Sequence, residues 1–190
     1  MLEWVEAVGR MLGLGATAGV RVSLTLTVIG VVSRMRFGNH VSGHFTWMHS
    51  WQAIFIFVVL AIIETALDKV PSLDRLQDRL IRPWRLIGGA IAGAATIGHG
   101  WLGLILGLAL GAVGAWFGQW VKHGTRPKST PNSLATALIS LSEDLLAFVG
   151  AALTASISLM GYFFFGSTIW LFGRLTHRRR VKYKGLRVLR

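Results

Sequence analysis

The stretch that decides the fold is LIGGAIAGAATIGHGWLGLILGLALGAVGAWFGQWV, residues 86–121, which carries no Asp, Glu, Lys or Arg. A transmembrane helix needs ~20 mostly apolar residues. These 36 residues are therefore too many for one span. The glycines on either side of His99 are the natural break. The stretch predicts two consecutive helices that cross a membrane and meet in a turn at residues 98–100.

Three further apolar runs flank this stretch, at residues 11–33, 46–67 and 133–175. The last run is also too long for one span and divides near residues 154–158, or at Gly161. Residues 86–97 are short for a span, so either that helix starts earlier, near Leu80, or the segment is re-entrant. Mean hydropathy is +0.55 and 53% of the residues are apolar. These values exclude an ordinary soluble domain, and the absence of Cys excludes a disulfide-stapled module. We predict an all-α membrane protein with six transmembrane helices.

Charge placement orients the six helices. The chain has 20 Lys and Arg against 8 Asp and Glu, and the basic residues cluster between the apolar runs. With six spans, 17 basic residues fall on one side and 2 on the other, whereas a re-entrant 86–97 gives 13 and 6. The positive-inside rule therefore favours six spans with both termini cytoplasmic. Because the excess charge follows the membrane pattern, we predict no nucleic-acid partner.

The chain divides into one membrane domain, residues 1–175, and a polybasic cytoplasmic tail, residues 176–190. The tail suits anionic lipids, at ~1 kcal/mol for each basic residue near the surface. Three spans in each half, over 11–97 and 101–175, would make the halves inverted repeats.

Charged residues inside the apolar runs are the strongest functional signal. Arg21 lies in the middle of the first apolar run, and Glu143 and Asp144 lie about as deep in the fifth predicted span, which begins at residue 133. A charge at a helix centre costs at least ~2.5–3.5 kcal/mol, so we expect Arg21 to pair with Glu143 or Asp144. Such a group is either an ion- or proton-coupled site or a structural pair that fixes helix register.

Other side chains are candidates for binding. Glu64 and Asp68 are one helical turn apart near the inner end of the second span, where two carboxylates suit a cation or a proton relay. His40 and His44 have the same spacing and are weak metal candidates, with ordinary loop residues as the alternative. His99 is compatible with a tetrapyrrole, but its place in a turn is equally ordinary. The sequence identifies no cofactor.

A ridge of glycines runs along the fourth span. Gly103, Gly107 and Gly111 recur every four residues and allow another backbone to approach closely. The ridge is either a packing face inside the bundle, the more frequent use of small residues, or an oligomer face or thin wall beside a pathway. For an accessory subunit of a larger complex, the ridge would be the docking face.

Three stretches carry a family resemblance: GLGATAGVRVSLTLTVIG (13–30), ETALDKVPSLD (64–74) and NSLATALISLSEDLLA (132–147). In these stretches the chain resembles the bacterial integral-membrane family known as domain of unknown function 4126. It departs from the pattern at Arg21, where a neutral polar residue such as Asn is expected. The resemblance implies a multi-pass protein of the bacterial inner membrane, and the family has no settled activity.

No nucleophile elbow, Walker loop or zincin motif is present in the sequence, so we predict that the chain is not an enzyme. The first functional hypothesis is translocation of an ion or solute through a site that includes Arg21, Glu64, Asp68, Glu143 and Asp144. The alternative is an accessory or assembly subunit of a larger membrane complex. On either hypothesis, a chain of 190 residues is expected to form a homo-oligomer or to join a complex.

Overall fold

The computed structural model describes residues 2–36, 41, 43–68, 71–96, 100–125 and 133–184. Within these residues the protein is entirely helical, as predicted, and contains no strand. It has seven α-helices and one 3-10 helix, Gly43–His49. The α-helices are α1 (Leu2–Val20), α2 (Val22–Arg34), α3 (Trp51–Asp68), α4 (Pro71–Ala95), α5 (Gly100–Thr125), α6 (Ser133–Ser156) and α7 (Met160–Lys184).

The first apolar run is broken at Arg21. This residue is extended, with φ −144° and ψ 97°, and it separates α1 from α2. Its N–H donates to Thr17 O at 2.9 Å, which completes α1, and its carbonyl accepts from Thr25 N at 3.1 Å, which begins α2. The prediction of one continuous span over 11–33 is therefore wrong. We call this single-residue junction the Arg21 hinge.

The hinge makes α1 and α2 a helical hairpin rather than one long rod. At one end of the bundle, the His44 ring lies 6.0 Å from the Trp101 ring, and Arg34 at the end of α2 donates to His49 O at 3.1 Å. Arg10 of α1 reaches the same end, where it donates to Thr96 O at 3.1 Å. We call this the Trp101 end, because α5 begins there. The opposite end, where α5 finishes, is the Lys122 end.

The hairpin places the start of α1 at the opposite end of the bundle from the one expected for a single span over residues 11–33. Tyr162, in the first turn of α7, donates to Val5 O, so the beginning of α1 lies at the Trp101 end. Later in α7, Leu175 lies against Gly124 at the Lys122 end. The first helix therefore begins, and the last helix finishes, at opposite ends of the bundle. The expectation of both termini on one side counted residues 11–33 as a single crossing, and the hairpin removes that premise.

Helix α5 is the centre of the bundle because its glycines admit two other helices at backbone contact. A Cβ added at Gly107 or Gly111 would overlap the backbone of α4 at residues 89–94. Further along, a Cβ at Gly114 or Gly118 would overlap the backbone of α1. Gly103 is also buried. Gly107 and Gly111 thus form a packing face inside the chain, and this face is not free to hold an oligomer together.

Length and composition qualify two helices as membrane spans, Gly100–Gly124 and Leu138–Ser156. The 3-10 helix and Trp51–Leu67, bent by 71°, would make a third if they are taken together. Helix α6 ends at Ser156 and α7 begins at Met160, so the predicted break near 154–158 is present. The predicted turn at 98–100 falls mostly outside the described residues, and α5 begins at Gly100. Helix α4 begins at Pro71, so the helix that contains residues 86–95 does start earlier, before the expected Leu80. Whether this helix crosses the membrane or is re-entrant stays a prediction. Six spans and inverted repeats go beyond these observations and stay predictions.

Candidate functional site

The Arg21 side chain is buried among polar groups from two other helices. It is 1% exposed, and its Nε lies 2.5 Å from Asp144 Oδ1 on α6. Its Nη2 donates to Ser140 Oγ at 2.9 Å, and its Nη1 approaches the main-chain carbonyl of Glu64 at 3.5 Å. This is the neighbour that the depth argument expected for Arg21. A guanidinium held by a carboxylate and two further oxygens has most of its lost hydration replaced.

Glu64 holds the other side of the hinge. Its side chain is 4% exposed, and Oε2 accepts the N–H of Ser23 at 3.3 Å. Ser23 is in the first turn of α2, where the N–H groups have no partner inside the helix and carry a partial positive charge. The Glu64 carboxylate is therefore an anionic cap, supplied by α3, on the start of α2.

Lys122 provides the matching cation at the end of α1. It is 1% exposed, and its Nζ lies 3.4 Å from Val20 O, the last carbonyl of α1. Carbonyls at a helix end carry a partial negative charge, which an ammonium group stabilises. Each of the two helix ends at the hinge thus has a buried side chain of the opposite charge beside it.

Two more buried charges lie at the same depth. Gly88 of α4 packs on Val22, and Arg85, one turn earlier on α4, is fully buried. Glu143 lies beside Asp144 on α6 and is 7% exposed. We call the whole set the charged layer. It contains three cations and three carboxylates, so its formal charge is zero: Arg21, Arg85, Lys122, Glu64, Glu143 and Asp144.

Sequence reasoning missed Arg85 and Lys122. Both stand at the edges of apolar runs, where a basic residue usually reaches the interface. The available signal was the charge balance. Three acids inside apolar runs outnumber the one Arg at mid-span, and burying unpaired carboxylates is costly.

Some polar groups beside the charged layer have no partner. Thr25 Oγ1 and Gln119 Nε2 are buried, and neither makes a hydrogen bond within the part of the chain that the structure describes. Thr25 follows Arg21 by one turn of α2, and Gln119 precedes Lys122 by one turn of α5. Buried polar atoms normally have partners, so these two are suited to a water molecule or a ligand.

Of the remaining predicted residues, only His44 has a described side chain. Asp68 is the last residue of α3, one turn beyond Glu64, and its side chain lies outside what the structure describes. His44 contacts Trp101 at the far end of the bundle. His40 and His99 lie outside the described residues. Among the described residues, no group of three or more His, Cys, Asp or Glu is placed to hold a metal ion.

A cationic cavity opens at the Trp101 end, beside the end of α2. Its volume is about 580 Å³, and it is lined by Ser33, Arg34, Arg36, Val41 and His49. The Arg34 guanidinium lies over the Trp51 ring, 4.3 Å from its centroid, which holds the charge at the cavity. Helix α2 therefore connects a cationic cavity at one end with the charged layer at the other.

The chain matches the family described as "Domain of unknown function (DUF4126)" over residues 8–178. No curated protein and no solved structure matches it.

Proposed function

This chain belongs to the DUF4126 family, and from that premise we propose that it is an inner-membrane protein that translocates a small ion or solute. The observation that carries the proposal is the helix break at Arg21 inside a buried charged layer. Secondary transporters bind their substrates at interrupted helices, where free helix ends face the site. The ends of α1 and α2, with Lys122 and Glu64 beside them, have this arrangement.

The structural alternative is a set of ion pairs that fixes helix register, and it explains fewer of the observed buried polar groups. Register needs one buried pair, and six ionisable groups carry a large desolvation cost. The alternative also gives no reason for the unpartnered Thr25 and Gln119. Ionisable residues inside membranes usually mark pathways for substrates or protons.

The helix directions support a specific orientation. Apart from the buried Arg85 and Lys122, 14 of the 20 basic residues lie in segments 69–84, 123–128 and 174–190. In the chain these segments follow α3, follow α5 and end α7, and all three of these helices finish at the Lys122 end. Arg10, Arg34 and Arg36 lie towards the Trp101 end. By the positive-inside rule, the Lys122 end is cytoplasmic. The carboxyl terminus is then inside, and the amino terminus is outside.

The same directions give the inverted repeat a revised form. Helices α2, α3 and α4 alternate in direction, and α5, α6 and α7 alternate in the opposite sense. The repeats would then be residues 22–95 and 100–184, with α1 as an additional helix. Glu64 and Asp144 belong to the middle helix of each triplet.

The accessory-subunit hypothesis loses one of its arguments. Its docking face was the glycine ridge, and Gly107 and Gly111 are filled by α4. The apolar side chains that remain exposed, such as Phe55, Ile62, Leu141 and Leu145, suit lipid as well as a partner. Self-association stays part of the proposal, through a face other than this ridge.

Reconstituted protein tests translocation directly. We would measure proton flux with an entrapped pH dye, and charge movement on a solid-supported membrane in sodium gluconate and sodium chloride. Wild-type proteoliposomes should exceed empty liposomes in at least one readout. The double variant Arg21→Gln/Asp144→Asn removes one charge of each sign and should lose most of that flux.

The matched control is Ser142→Ala, on the exposed face of α6, where the hydroxyl bonds only to its own helix at Ile139 O. It should retain the wild-type flux. Equal flux in wild-type protein and the double variant would refute the assignment of the site. No flux above empty liposomes in either readout would refute translocation.

A further inference from the structure

The charge of the buried layer restricts what can bind there. Its three cations and three carboxylates sum to zero, so an added ion leaves a net charge in a poorly hydrated interior. A bound anion is balanced when one proton enters with it, and a bound cation when one proton leaves. Contacts decide between the two: Arg21 presents two N–H groups on one side, whereas the described residues offer no group of three or more His, Cys, Asp or Glu placed to hold a metal ion.

The Arg21 guanidinium has the geometry to receive a carboxylate. Its Nε and Nη2 face the same way, and these two atoms contact Asp144 Oδ1 and Ser140 Oγ. A planar carboxylate spans two parallel N–H groups of a guanidinium with its two oxygens. One small carboxylate would thus replace both present contacts.

Among the three acids of the layer, Asp144 is the one that an incoming carboxylate would displace from Arg21. Glu64 is 4% exposed and is tied to Ser23 N–H, and Glu143 is 7% exposed. The Asp144 side chain is 19% exposed and is the direct partner of Arg21. Of the three carboxylates, it is therefore the least enclosed by its neighbours.

Resting on the translocation proposed above, we propose that the charged layer binds one small monocarboxylate together with one proton. The carboxylate takes the place of Asp144 on Arg21, and the proton goes to the Asp144 carboxylate. The other charges that face the pair, Glu64 on α3, Arg85 on α4, Lys122 on α5 and Glu143 on α6, keep their charge. The layer stays neutral before and after binding.

Two features outside the ion pair agree with an anionic ligand. The cavity at the Trp101 end presents Arg34, Arg36 and His49, which would concentrate anions on that face. Beside the hinge, Thr25 Oγ1 and Gln119 Nε2 are buried polar atoms without partners, one near each helix end. Gln119 supplies an N–H donor, and Thr25 supplies a hydroxyl that donates to a carboxylate oxygen.

The test is the number of protons taken up for each carboxylate bound. Acetate is titrated into purified full-length protein by calorimetry, in buffers of different ionisation enthalpy, with chloride as the control at equal ionic strength. Wild-type protein should take up about one proton per acetate at neutral pH, and its affinity should fall about tenfold for each pH unit of increase. Chloride should give less heat and no proton uptake.

Variants identify the proton site. Asp144→Asn should bind acetate with no proton uptake and with an affinity that does not change with pH, because its layer already carries one positive charge. Glu143→Gln is the matched neighbour and should keep the linkage. Arg21→Gln/Asp144→Asn should bind no acetate. This double variant, whose layer is neutral, keeps the test valid if Asp144→Asn alone fails to fold.

Several outcomes would overturn the inference: wild-type binding without proton uptake, a pH slope that persists in Asp144→Asn, acetate bound equally by the double variant, or no acetate binding by wild-type protein. Proteoliposomes separate this failure from failure of the proposed function. Flux that depends on Arg21 but is indifferent to carboxylates would overturn the coupling and keep translocation. Absence of both acetate binding and flux would overturn both.

Discussion

Replacing Asp144 by Asn should destabilise the protein, because it leaves the buried positive charge of Arg21 without its carboxylate partner. Arg21 is 1% exposed and loses its carboxylate partner at 2.5 Å. Its guanidinium does not deprotonate in proteins. Breaking a buried pair from one side costs about 3–5 kcal/mol. Because Arg21 keeps its contacts with Ser140 Oγ and the Glu64 carbonyl, we expect the lower part of that range.

The double variant Arg21→Gln/Asp144→Asn should be more stable than Asp144→Asn, although it carries an additional substitution. It leaves no unpaired charge and mainly weakens the hydrogen bond to Ser140 Oγ, at about 1–2 kcal/mol. Removing both acids, Glu143→Gln/Asp144→Asn, leaves two excess cations and should be the least stable. The order of the three variants is therefore fixed by charge and not by the number of substitutions.

The assay is thermal unfolding of purified protein in detergent, followed by tryptophan fluorescence. A loss of about 3 kcal/mol corresponds to about 6–12 °C for a protein of this size. Asp144→Asn should melt that far below wild type, and Arg21→Gln/Asp144→Asn should recover at least half of the difference. If the double variant melts at or below Asp144→Asn, the Arg21–Asp144 pair does not carry the stability assigned to it.

Two further predictions follow from packing and direction. Gly111→Leu should prevent stable folding, because its Cβ would overlap the Gly89 carbonyl, whereas Gly166→Leu on α7 meets nothing within 4 Å and should melt like wild type. Equal melting of the two would mean that α4 and α5 are not in backbone contact. Reporter fusions before Leu2 and after Arg190 should report opposite sides of the membrane, with the carboxyl-terminal one cytoplasmic, and signals from the same side would contradict the hairpin at Arg21.

The sequence predicts helical content and turn positions well because both follow from apolar run length and from Gly and Pro placement. The break near residues 154–158 is an example. It predicts the direction of the first helix badly. Hydropathy registers Arg21 as one polar residue inside an apolar run, whereas the structure places a change of backbone direction there. Helix α1 begins at Leu2. The charges of Glu3, Glu6 and Arg10 lower the mean hydropathy of its first turns, so the apolar run starts later than the helix does.

The candidate site shows the same division. The pairing of Arg21 with an acid on α6 could be predicted from their similar positions within apolar runs, because a charge inside a span requires an opposite charge nearby. The burial of Arg85 and Lys122 could not be predicted in this way. A basic residue at the end of an apolar run has the same sequence context whether it faces water or the protein interior. What buries them is the approach of α4 and α1 to α5 through glycine. That tertiary contact depends on residues far apart in the chain.

The glycine packing and the charged layer depend on one another. Close contact of α1 with α5 brings the end of α1 to Lys122, and close contact of α4 with α5 carries Arg85 to the same depth. Two buried cations then join Arg21, and the three acids on α3 and α6 balance them. Without those acids, the glycine contacts would place three uncompensated cations in the interior at a cost beyond the stability of an ordinary domain. Without the glycines, α1 and α4 would stay farther from α5, Lys122 and Arg85 would not be buried beside the hinge, and Arg21 would need only one acid. The presence of three acids is therefore itself evidence that the three helices meet at backbone distance around the hinge.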